Sequence, residues 1–179
     1  MNSLTTIQKT FKVFQVLSKV AMIVSFVICG NALLYLLLIA IWHNGGGVTG
    51  ADMETMMSLT GSSAIKQMIA ALLSYAVYAL TDGILFMYAF SYFRTEQKEG
   101  TPFTQNGADK LKSLGIKTIV MPIVAIVISA VIYECFSVAN SGNQSNETSV
   151  MLGIMLILVS LVFRYGAELE TITGGKNEN

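Results

Sequence analysis

Residues 20–42 read VAMIVSFVICGNALLYLLLIAIW, twenty-three positions without a charge and with one amide, Asn31. A helix needs about 20 apolar residues to cross the roughly 30 Å of bilayer hydrocarbon, because only intrahelical hydrogen bonds satisfy the backbone there. This stretch is long enough, and the rest of the chain repeats the pattern. Charge-free runs follow at Met68–Phe93, broken only by Asp82, at Thr118–Ala139, with Glu134 near its far end, and at Ser149–Tyr165. The last is shorter and closes on Arg164, whose stem can snorkel while its head reaches the interface. Composition agrees, since 53% of the residues are apolar and 12% charged, about half the charge of soluble domains. Eleven basic residues balance eleven acidic ones, which leaves no basic field for nucleic acid. Two cysteines are too few for a disulfide scaffold or a structural zinc site. The expected fold is all-α, a single-domain integral membrane four-helix bundle over residues 1–179 with spans near 20–42, 68–93, 118–139 and 149–165.

Orientation follows from Lys and Arg, which concentrate on cytoplasmic flanks. Lys9, Lys12, Lys19, Arg94, Lys98, Lys110, Lys112, Lys117, Arg164 and Lys176 fall on one side, and only Lys66 on the other. Both termini, the loop 94–117 and the tail 166–179 are therefore expected in the cytoplasm. Interfacial rings agree, with Trp42, Tyr133 and Phe136 outside and Phe90, Tyr92, Phe93, Phe163 and Tyr165 inside. The first span is too long for a cleavable signal core, and neither Met1-Asn2 nor Asn177-Glu178-Asn179 suggests a lipid anchor.

Before the first span, Leu4, Ile7, Phe11 and Phe14 recur at helical spacing, either as an arm continuing the first helix or as a partner-docking or lipid-surface helix. The outer loop His43–Ile65 opens with Asn44-Gly45-Gly46-Gly47. It then places Met53, Met56 and Met57 at the spacing of a short helix lying on the membrane; copper ligation by these methionines with His43 is the less favoured reading. The second outer loop contains the formal glycosylation acceptors Asn143 and Asn146. On the inner side, Gly100 and Pro102 break the second helix, Phe103 can dip to the interface, and Thr104 is placed to cap a new helix leading into the third span. After the fourth span, Tyr165, Leu169 and Ile172 continue the helical stripe for two turns until Gly174-Gly175 ends it.

The chain offers little catalytic chemistry. Its only histidine, His43, lies outside, Cys29 and Cys135 sit at different depths as reduced packing residues, and no nucleotide, metal or phosphate motif occurs. No cofactor, metal or catalytic residue is expected. Asp82 resists a bland account, because an ionised carboxylate in mid-bilayer costs roughly 2.5–3.5 kcal/mol. Counted from the inner boundaries, Asn31, Asp82 and Ser129 are each eleven residues deep, which predicts an intramembrane polar layer. Its alternative use is a proton or ion site.

The stretches Phe93-Arg94, Glu99-Gly100-Thr101-Pro102-Phe103-Thr104, Leu111 to Gly115 and Phe163-Arg164-Tyr165-Gly166-Ala167-Glu168-Leu169 give a pattern. It resembles the family catalogued as domain of unknown function 2975, small bacterial membrane proteins of four helices. Lys110 and Lys112 stand where that family more often has arginine. The resemblance implies a bacterial cytoplasmic membrane location and partnership with a small cytosolic helix-turn-helix transcription regulator; direct nucleic-acid binding is not expected, given the balanced charge. It brings no catalytic residues. Arg94, Pro102, Phe103, Thr104, Arg164 and Glu168 are the candidate partner-binding residues, and a homo-oligomer is compatible with them. A non-catalytic sensor or tether is thus the leading expectation. A small transporter or ion-conducting subunit using Asp82, or a peptide-immunity or envelope-stress factor, is the alternative.

Overall fold

The computed structural model describes residues 3–43, 50–99, 104–139 and 147–174. They form four helices, α1 (Ser3–His43), α2 (Gly50–Glu99), α3 (Gln105–Phe136) and α4 (Glu147–Gly174). Each contains a segment long and apolar enough to cross a membrane, within Lys9–Ile41, Ala64–Lys98, Gln105–Phe136 and Val150–Leu169. The arm before the first span is part of α1, so the phenylalanine stripe continues that helix. The methionine segment is helical as well, but it forms the opening turns of α2 rather than a separate surface helix. With no helix breaker between Gly50 and Ala64 except Gly61, nothing interrupts the ladder. At 1.5 Å per residue the 50 residues of α2 run for about 75 Å. The side chains of Met53, Met56 and Met57, with residues 44–49 and 140–146, lie outside the described residues.

Helix ends follow local chemistry. Thr104 has extended backbone (φ −105°, ψ 143°), and its hydroxyl oxygen accepts the Gly107 N–H at 3.0 Å, capping α3. At the other end Ser137 turns into the left-handed region (φ 53°). There the Ser137 N–H donates to the Glu134 carbonyl at 3.0 Å and the Val138 N–H to the Tyr133 carbonyl at 3.2 Å, the paired bonds of a Schellman ending. Pro122 sits inside α3, where its missing N–H leaves the Thr118 carbonyl without its usual donor.

The helices pack in series, α1 on α2, α2 on α3 and α3 on α4. Among the described residues α1 and α4 do not meet, so the expected bundle is an open one. The α1·α2 seam is built from small side chains, Ser18, Ser25, Cys29 and Ala32 on α1 and Ala76 and Ala79 on α2, all buried. Farther along, Gly83 receives the Phe26 ring; a Cβ there would stand 3.2 Å from two ring carbons. On α3 the buried positions Ala108, Leu111, Gly115, Thr118, Pro122, Ala125 and Ser129 alternate three and four apart, the spacing of a supercoiled seam. Gly115 and Gly153 form the α3·α4 crossing, where a Cβ on Gly115 would lie 2.9 Å from the Gly153 carbonyl oxygen. Small residues at such crossings let backbones approach closely enough for dispersion contacts to hold them.

Larger side chains gather near the α2–α3 turn. Tyr92, Leu111 and Leu114 form a buried cluster against which Ala89, Phe93, Leu156 and Phe163 pack. Phe14 stacks on Phe93 at 5.5 Å between ring centroids and Phe11 approaches at 6.2 Å, so all four helices contribute to this end. Elsewhere the distribution is that of a soluble protein turned inside out. Ser18, Ser25, Ser74, Ser129 and Ser160 are buried, while Leu33, Leu34, Leu37, Leu38 and Ile41 of α1 are each 51–57% exposed.

Candidate functional site at the α2–α3 turn

The ends of α2 and α3 carry the densest polar structure of the described residues. Thr104 is the cap that its sequence position predicts. Eight residues before it, Glu96 is 1% exposed, its carboxylate laid against Gly107 in the first turn of α3. Moving away from the turn, Lys110 Nζ reaches Thr95 Oγ1 at 3.4 Å, and Lys117 Nζ stands 3.5 Å over the Tyr88 ring. A cation over an aromatic face is held by the ring quadrupole. These contacts fix the antiparallel register of the two helices. They also leave Arg94, Lys98, Asp109, Lys110 and Lys112 exposed around the turn.

The candidate partner-binding residues fall into separate situations. Arg94 is exposed on α2. Arg164 and Glu168, one turn apart on α4, form an ion pair at 3.4 Å with both side chains more than half exposed, an arrangement worth a few tenths of a kcal/mol in water. Pro102 and Phe103 lie outside the described residues. Cys29 and Cys135 are free thiols, the first buried and the second exposed.

The structure does not assemble the polar layer expected of Asn31, Asp82 and Ser129. Asn31 and Asp82 are exposed and Ser129 is buried, and no hydrogen bond among the described residues joins them. Equal distance from the span boundaries does not give equal height, because the helices are staggered. The contacts Phe14–Phe93 and Phe26–Gly83 set the α1·α2 register, which puts Asn31 about 6–9 Å from the level of Asp82. The Thr95–Lys110 and Tyr88–Lys117 contacts likewise put Ser129 opposite Ala76, about 9 Å beyond Asp82. Facing matters too, as α1 packs on α2 alone and cannot bring Asn31 to Ser129.

Sequence reasoning passed over Glu96, which reads as one more charge in a polar loop. Its signal was periodicity, since Ala89, Tyr92 and Glu96 are three and four apart on the face of α2 that meets α3. Gly107 follows Thr104 at the position that receives the cap.

Compared with models of protein families, with curated proteins and with solved structures, the chain matches none. Its geometry therefore defines a class, a four-helix protein with membrane-length apolar helices and a polar turn, without a matched relative to carry a function.

Proposed function

We propose that the chain is a multi-pass protein of a bacterial cytoplasmic membrane, with both termini and the α2–α3 turn in the cytoplasm. An outer surface of large apolar side chains around buried serines and alanines suits hydrocarbon as solvent. The Lys and Arg distribution supplies the orientation. In that membrane the protein is a non-catalytic sensor or tether, and its turn holds a cytosolic partner. The resemblance to the domain of unknown function 2975 family suggests a small helix-turn-helix regulator as that partner.

The observation that carries this reading is the pair of helix ends on either side of residues 100–103, where a capped helix, a buried carboxylate and two cross-helix cation contacts hold exposed charges in fixed places. Preorganised surfaces bind with less ordering cost than loose ones. Purification in mild detergent should bring down a cytosolic protein, and joint replacement of Phe103 and Thr104 by alanine should release it while insertion is unchanged. Retention of every co-purifying protein by an inserted double variant places the surface elsewhere.

A second reading rests on Asp82, a carboxylate exposed on the flank of α2 within its apolar segment. There it serves proton or ion movement. Proton-coupled flux in liposomes that disappears in Asp82→Asn favours this reading over the tether.

A further inference from the structure

Among the described residues Glu96 is the largest side chain closed off from solvent, at 1% exposure. A carboxylate is an expensive group to bury, and one that stays ionised needs surroundings that favour its charged oxygens. Tyr92 lies one turn before it in the cluster with Leu111 and Leu114. Glu96 Oε1 abuts Gly107, the third residue of α3, and a Cβ at that glycine would overlap the carboxylate and come within 2.8 Å of Thr104 Oγ1. The first turn of a helix presents partly positive N–H groups, which attract an anion placed beside them. Glycine at position 107 is therefore the gap that admits the carboxylate to the end of α3.

We propose that Glu96 and Gly107 form a clasp between the end of α2 and the start of α3. The charge of Glu96, seated in the space left by Gly107, holds the two helix ends together; Thr104, whose hydroxyl accepts the Gly107 N–H, keeps that first turn in register. Removing the charge or filling the space releases the ends while the apolar seams farther along the helices stay closed. The clasp goes beyond partner binding, because it acts with or without an occupant at the turn.

Trypsin tests it on the purified full-length protein in detergent, where cleavage after the exposed Lys98 reports opening of the α2 end. Glu96→Met keeps the volume of the side chain and removes the charge, and Gly107→Ala keeps the charge and fills the gap. Each should speed cleavage after Lys98 roughly tenfold, and the double variant should be no faster than either single one, because contacting residues that act together are not additive. Should Glu96→Met fail to accumulate, Glu96→Gln, equal in shape and uncharged, takes its place in the same cycle. A parental rate in the Glu96 variant means that packing alone holds the turn, and rates that multiply in the double variant mean that the residues act separately. Either result overturns the clasp.

Discussion

The α1·α2 seam and the α2–α3 turn join helices by different means. Along the seam the contacts are serine, cysteine and alanine, with Gly83 admitting one phenylalanine ring. No ion pair or charged group enters this part of the interface among the described residues. At the turn the contacts are a cap, a buried carboxylate, a lysine on a hydroxyl and a lysine over an aromatic ring. In hydrocarbon, apolar side chains gain nothing by leaving their surroundings for each other, so close fit must hold helices together. Near water the helix ends expose backbone donors and acceptors, and polar side chains can satisfy them. One chain thus shows close fit alone holding its middle, while at its end polar contacts are added to an apolar cluster.

That contrast breaks first at the closest backbone approach. Gly153→Val thrusts two methyl groups into Ile119 and the Gly115 carbonyl, and overpacking of this kind costs about 3 kcal/mol. Its thermal unfolding in detergent should fall well below the parent's. A Gly153→Val protein as stable as the parent removes close fit as the principle of the α3·α4 crossing. At the turn the effect is smaller, because a lost cap costs about 1 kcal/mol. Thr104→Ala should lower stability by that amount and raise amide exchange in the first turn of α3; unchanged exchange there speaks against the cap. Smallest is Ser137→Gly, which relieves a left-handed conformation at the far end of α3. The αL penalty less glycine's extra chain entropy leaves a gain of roughly 0.5–1 kcal/mol, read as a raised unfolding temperature.

The sequence is most legible where one helix suffices to explain a residue. Apolar length marks all four helices, Thr104 announces its own cap, and the stripe through Ile172 carries α4 to Gly174. Phe11 and Phe14 declare a face, although their partner Phe93 appears only in the fold. Legibility fails where two helices must be placed against each other. The heights of Asn31, Asp82 and Ser129 depend on stagger, which counting from span boundaries cannot supply. The Met53–Met57 segment has the spacing of a helix whichever way it leads, so its continuity with α2 was hidden. Glu96 was obscured by its type, since a glutamate near a turn is usually solvated. Only the approach of Gly107 makes its burial intelligible.

On the proposed membrane reading the two joining modes lie on either side of a membrane boundary, and sidedness tests that most directly. Reporter fusions after Met57, Gly107, Asn143 and Lys176 should read outside, inside, outside and inside, with the α2–α3 turn on the side of both termini. A fusion after Gly107 that reports outside, or one after Asn143 that reports inside, contradicts the account, because the clasped turn would then lie away from the cytoplasm or the third and fourth helices would not cross.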